Sequence, residues 1–161
     1  MSGRSGAAGL LCLAFGSASL AAQGSPTVLE WGAHATFSAV GNNVSALVVG
    51  PRGAIRTIGS TRVAVSLGMG LRGDSLTGRG EAALEYLLAP RAVGRLGVYM
   101  GGGLTGILGA GRGGYLLVYL GIERSPGRVR GWAVEAGLGD GFRLRAAYHW
   151  RRFPLGWRAE K

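Results

Sequence analysis

The chain is poor in acid, in lysine and in cysteine. Of 161 residues only 8 are Asp or Glu against 18 Lys or Arg, a formal net charge of +10 at pH 7, and Lys161 is the single lysine. Charged residues make up 16% of the chain, below the roughly 25% of ordinary soluble domains, whereas hydrophobic residues reach 47%. Beyond the first two dozen residues no apolar run approaches the ~20 residues that a spanning helix needs, so that part of the chain holds no transmembrane helix. The one cysteine, Cys12, falls in the amino-terminal apolar stretch. A mature chain without that stretch would hold neither a disulfide nor a thiolate metal site. Leu10 and Leu11 are too large for a lipoprotein signal just before Cys12. A sparsely charged, apolar chain without long apolar runs must distribute its hydrophobicity by alternation.

That alternation is explicit from Arg62 to Arg72. Val63, Val65, Leu67, Met69 and Leu71 occupy one side; Arg62, Ala64, Ser66, Gly68, Gly70 and Arg72 occupy the other. Side chains alternate faces along a strand, so the segment predicts a β-strand with one apolar face and one small or charged face. The pattern returns near the end, where Phe142, Leu144, Ala146, Tyr148 and Trp150 oppose Arg143, Arg145, Ala147, His149 and Arg151. Between these, the same reading predicts strands over 28–40, 44–50, 79–89, about 93–105, 115–124 and 128–138. Gly41-Asn42-Asn43, Ser125-Pro126-Gly127 and Asp140-Gly141 are turn signals. Pro51-Arg52-Gly53 breaks the second strand, 54–61 is either a continuation or a turn, and loops are expected over Gly73–Gly78 and Gly109–Gly114. The 32 glycines suit turns and a narrow inward face where small residues sit beside large ones.

At the amino terminus Arg4 precedes a short apolar core from Ala7 to Phe15, followed by small residues up to Ala21-Ala22. One positive charge, a short apolar core and a small-residue exit predict a secretory signal peptide over 1–22, with the remaining domain over 23–161.

About eight exported strands of roughly ten residues, with aromatics near their ends, predict an all-β fold: an antiparallel up-and-down transmembrane β-barrel. From residue 28 to 153 the chain resembles the small outer-membrane β-barrels of the OmpA/OmpX type. The resemblance implies a monomer in the outer membrane of a Gram-negative-type bacterium, with lipids as partners. It also implies the barrel-assembly machinery as a partner during biogenesis, because the last strand alternates apolar residues up to an aromatic. This chain continues for eleven residues beyond Trp150. In a barrel of this kind the polar face is a lumen filled by small residues and ion pairs. Glu30, Glu81, Glu85, Glu123 and Glu135 are then expected to meet Arg62, Arg95, Arg143 and Arg145, with His34 and His149 on the same face. Arginines at the strand ends would grip anionic headgroups. The inverse arrangement, a soluble periplasmic barrel with the apolar face inward around a small apolar ligand, uses the same alternation.

Chemistry-bearing motifs are sparse. Gly73-Asp74-Ser75-Leu76 spells the nucleophile block of GDSL-type esterases, but the asparagines Asn42 and Asn43 both lie upstream, and neither Asp74 nor Asp140 has a histidine three residues on. A serine without its base is not activated. His34 and His149 fall on the first and last strands, neighbours once a barrel closes. Some small barrels are lipid A deacylases that use a His-x-Ser arrangement, which neither histidine provides. Arg72-Gly73, Arg79-Gly80 and Arg112-Gly113-Gly114 are similar to fragments of RNA-binding arginine–glycine segments, yet large aliphatics interleave the arginines here, so nucleic acid is not an expected partner. No catalytic residue, metal site or cofactor is expected, and a lipid-modifying enzyme is the distant alternative.

Overall fold

The computed structural model describes residues 27–40, 44–57 and 59–157. The expected signal peptide, Cys12 and the Gly41-Asn42-Asn43 turn lie outside them. Eight strands follow one another: β1 (Val28–Val40), β2 (Val44–Arg56), β3 (Thr61–Arg72), β4 (Ser75–Leu87), β5 (Leu96–Gly109), β6 (Gly113–Arg124), β7 (Arg130–Leu138) and β8 (Phe142–Arg152). Each pairs antiparallel with its neighbour in sequence, and β8 pairs with β1 to close an up-and-down barrel. The fold is all-β, with no helix among the described residues.

The registers fix the shape of the barrel. A path through paired residues runs Leu29, Ile55, Val63, Leu84, Gly102, Val118, Leu138 and Phe142, and returns to β1 at Ala39, ten residues from its start. With a rise of ~3.3 Å per residue and strands ~4.8 Å apart, that stagger over eight strands gives a tilt of about 40° and a backbone radius of about 8 Å. Such an interior is wide enough for side chains and little else.

Which side chains fill it is the main structural finding. Arg62 is 0% exposed and Arg143 0%, whereas Leu67 is 66% exposed and Leu120 61%. The inversion recurs around the barrel: most charged and hydroxyl-bearing residues within the strands point in, and most large aliphatic residues point out. The apolar side chains that do point in include Val28, Val48 and Ile107 and a small cluster of Leu87, Tyr99, Leu117, Tyr119 and Ala133.

Several boundaries differ from the sequence expectation, each for a local reason. β2 continues through Pro51 to Arg56. The β2–β3 ladder skips Gly50 and Pro51 and resumes at Arg52 in the same register, so the proline interrupts pairing without ending the strand. The expected Gly73–Gly78 loop is a two-residue turn, Gly73-Asp74, with Gly73 at φ 57° and Arg72 paired to Ser75. The Gly109–Gly114 loop shrinks because β5 runs to Gly109 and β6 starts at Gly113. Gly109 and Gly111 take the left-handed backbone there, at φ 82° and 78°. β7 starts at Arg130, two residues late.

Thr27 and Trp157, the first and last described residues, lie at one mouth, called here the terminal mouth. Residues 57–60, 88–95 and 125–129 connect strands there; the far mouth has shorter hairpins at 73–74, 110–112 and 139–141. Phe153 and Trp157 stack across the terminal mouth with ring centroids 4.9 Å apart, and the Arg56 guanidinium lies 5.9 and 5.5 Å from those rings. Arg91 approaches Trp157 at 5.4 Å.

Candidate functional site

The interior is one ion-pair ladder that runs from mouth to mouth. Near the terminal mouth, Glu30 on β1 lies 3.2 Å from Arg62 and 3.4 Å from both Arg56 and Arg151. Glu123 on β6 accepts from the same Arg62 at 3.0 Å and from Arg151 at 2.7 Å. Arg62 also donates to Glu85 on β4, which accepts from Arg52 and from the Tyr119 hydroxyl. Arg52 carries the ladder onward to Glu135 on β7, at 2.7 Å. Glu135 accepts from Tyr99 at 3.0 Å and from Arg143 at 2.9 Å.

Arg143 then bridges to Glu81, at 3.3 Å. Glu81 is shared with Arg145 and with Arg79, the latter at 2.7 Å. Arg79 reaches Asp140 at 2.8 Å, and Asp140 meets Arg72 at 3.5 Å at the far mouth. Ser38, Thr36 and Ser66 take up further arginine donors. Every acid in the ladder faces at least two arginines, which is what makes burial of so many charges tolerable: isolated buried ions cost several kcal/mol each.

Two tyrosines are seated by glycines. Tyr99 on β5 pairs with Gly121 on β6, and Gly101 pairs with Tyr119. A Cβ on Gly121 would lie 2.3 Å from Tyr99 Cζ, and one on Gly101 2.3 Å from Tyr119 Cζ. The bare backbone lets each ring lie flat against the neighbouring strand, with its hydroxyl aimed at Glu135 or Glu85. The rings meet edge to face at 6.4 Å, and Arg62 and Arg143 sit over them at 4.7 and 5.1 Å.

Ten of the eleven residues expected to form the lumen network are buried in the interior: Glu30, His34, Arg62, Glu81, Glu85, Glu123, Glu135, Arg143, Arg145 and His149. Arg95 is not among them. β5 begins one residue later, after Gly94 in the left-handed region (φ 76°), and Arg95 is exposed beyond the end of the wall. The histidines are diagonal neighbours, because Gly32 pairs with His149 and His34 with Ala147. Each has one ring nitrogen without a hydrogen-bond partner, Nδ1 of His34 and Nε2 of His149. Among the described residues no group of three or more His, Cys, Asp or Glu is placed to hold a metal ion. Ser75 is exposed at the far mouth, on a different surface from the buried histidines.

Sequence reading missed Arg52, Arg56, Arg79, Arg151, Asp140, Tyr99 and Tyr119 as members of the ladder. Arg52 and Arg56 were hidden by the apparent break at Pro51. Arg79 opens the expected fourth strand and shares the alternating face of Glu81 and Glu85, whereas Asp140 fell in a segment read as a turn. Arg151 did carry a signal, since it shares the alternating face of Arg143 and Arg145. Alternation already puts Tyr99 and Tyr119 on the inward face; what it cannot give is the cross-strand register that sets each opposite a glycine and beside its acid.

The outer wall carries two apolar grooves, of about 1030 Å³ and about 630 Å³, lined by Gly78, Gly80, Gly106 and Gly114 in one case and by Gly102 and Gly137 in the other. No protein-family model matches the chain, and no curated protein is significantly similar to it.

Proposed function

We propose that this chain is a small outer-membrane β-barrel of the OmpA/OmpX type from a Gram-negative-type bacterium, with a structural or interaction role and no enzymatic one. The inversion of the two faces carries the reading. Soluble monomers rarely expose contiguous apolar patches beyond a few hundred Å². Here the outward positions of all eight strands are predominantly Leu, Val, Ile, Met and aromatic. Strands of 9 to 14 residues at ~3.3 Å per residue and ~40° tilt make a wall about 23–35 Å high, which brackets the ~25 Å apolar band of outer-membrane barrels. The fully paired, closed sheet leaves no edge strand to seek a partner, consistent with a monomer.

The ladder supports a plugged barrel in place of a wide channel, since about eight strands leave an interior that side chains fill. Lipids are then its standing partners and the barrel-assembly machinery its partner in biogenesis. The soluble alternative needs an apolar interior for its ligand, and the paired arginines and acids give it no support. The lipid-modifying alternative needs a nucleophile beside a base, and Ser75 is remote from both histidines in burial and in face.

Expression of the full chain in a Gram-negative host, followed by membrane fractionation and gels with and without boiling, tests the reading. A heat-modifiable band in the outer-membrane fraction is expected. A soluble periplasmic product of unshifted mobility would overturn it.

A further inference from the structure

The two mouths differ in charge. At the terminal mouth Arg95, Arg124, Arg128, Arg130 and Arg152 are all exposed. They follow one another around half of the rim, from the start of β5 to the end of β8: Leu96 pairs with Arg124, Arg130 with Trp150, and Arg152 with Leu29. None of the five forms an ion pair among the described residues. No described acid is exposed at this mouth, because six of the seven described acids are buried in the ladder and the seventh, Asp74, is in the β3–β4 turn at the far mouth. The far mouth exposes both Arg112 and that Asp74, one charge of each sign.

Two further observations lie beneath the arginines. Trp31 pairs with Trp150, and Trp150 with Arg130, while Trp132 pairs with Tyr148. These outward rings form an amphipathic band directly inside the basic half-rim, the position aromatic girdles occupy at a membrane–water boundary. Between the β4–β5 and β6–β7 connections an open pocket of about 590 Å³ is lined by Arg128 and Arg130 together with Val93, Val129 and Phe153. Two unpaired guanidiniums beside an apolar floor match a phosphate group with the head of an acyl chain attached. Arginine suits such a group because its planar fork binds phosphate oxygens in pairs and is weakly hydrated.

We propose that this half-rim is a docking site for anionic phospholipid headgroups, with the Arg128–Arg130 pocket seating one phosphate and Val129 and Phe153 receiving the first carbons of its chain. The proposal rests on the membrane reading above and adds to it one leaflet, one side of the barrel and one lipid class. Each arginine near a lipid surface contributes about a fivefold preference for anionic lipid, so the pair contributes roughly 25-fold.

The test uses the full-length barrel folded into phosphatidylcholine vesicles containing phosphatidylglycerol, with heat modifiability checked first and the lipids retained after detergent extraction counted by native mass spectrometry. Wild type should retain phosphatidylglycerol over phosphatidylcholine. The Arg128→Gln/Arg130→Gln variant should lose at least tenfold of that preference, and Arg112→Gln at the far mouth should lose none. Competition by millimolar inorganic phosphate should be weak, because the apolar floor recognises the chain. A folded wild type that retains both lipids equally overturns the site alone, as does full displacement by phosphate or an unchanged preference in the double variant. A wild type that never inserts overturns the membrane reading, and the site with it.

Discussion

Glu135→Gln is the sharpest probe of the ladder, because Glu135 joins its two halves. Its carboxylate accepts from Arg52 at 2.7 Å, Arg143 at 2.9 Å and Tyr99 at 3.0 Å, with Arg145 at 3.7 Å. Glutamine keeps the shape and one acceptor oxygen but removes the charge. Hydrogen bonds to charged groups are worth ~1.5–3 kcal/mol each, and removing one partner of a buried ion pair costs ~3–5 kcal/mol. Arg52 and Arg143 keep Glu85 and Glu81, which places the loss near the lower end, about 3 kcal/mol. The interior already holds seven buried arginines against six buried acids among the described residues, so the substitution also raises the cation excess from one to two. Arg143→Met should cost about 2 kcal/mol, since Glu135 retains Arg52 and Glu81 retains Arg79 and Arg145. The double variant removes both members of a pair, and its cost should fall short of the sum by about 2 kcal/mol. Urea unfolding in zwitterionic vesicles, followed by tryptophan fluorescence, measures all four corners of the cycle. A Glu135→Gln cost below about 1 kcal/mol, with additive single effects, would refute the ladder as a stabilising unit.

Two other expectations separate inside from outside. Gly121→Ala places a Cβ 2.3 Å from the Tyr99 ring, and moving the ring strains its bond to Glu135, so a loss of ~1–3 kcal/mol is expected. Gly106→Ala meets nothing within 4 Å and should change stability by no more than ~0.5 kcal/mol in the same urea titration; equal effects at the two sites would sink the ring-seating argument. Leu67→Arg, mid-strand and outward on β3, should cost ~2–4 kcal/mol in vesicles if the wall faces hydrocarbon. A change within ~0.5 kcal/mol, measured by the same unfolding curves, would point to a wall that faces water.

Much of the barrel was legible in the sequence because a strand's two faces are written in a period of two. The outward set of β3, β6 and β8 can be read directly from Val63–Leu71, Leu116–Ile122 and Phe142–Trp150. What alternation cannot state is where pairing survives a local insult. Pro51 looks like a stop from within β2, but β1 and β3 on either side hold Arg52 in register, and that tertiary support is not local information. Nor can alternation choose partners across the lumen. Glu85 and Arg52 lie 33 positions apart, and Arg143 and Glu81 62 apart; the stagger of ten residues around the barrel brings them together. Arg95 failed for the converse reason. It obeys the alternation of β5, but the strand begins after it.

The charge of the chain follows from this arrangement. An arginine interior needs acids, and among the described residues all but one of the acids are committed to it. Seven arginines balance six acids inside, so among the described residues only Asp74 is left to face the remaining arginines. Their charge is not spread evenly. The far mouth exposes Asp74 as well as Arg112 and ties Arg72 to Asp140, whereas the terminal mouth exposes five arginines and no described acid. Among the described residues the interior contributes one net positive charge and the basic half-rim five, the larger part of the formal +10 of the chain. Raised salt should consequently weaken any anionic partner at the terminal mouth while leaving the buried ladder unscreened. Unfolding free energy in zwitterionic vesicles should then stay nearly constant between low and high salt, as phosphatidylglycerol selectivity falls. A parallel loss of both would mean that water and ions reach the ladder, and that the interior is not the closed, paired plug its geometry describes.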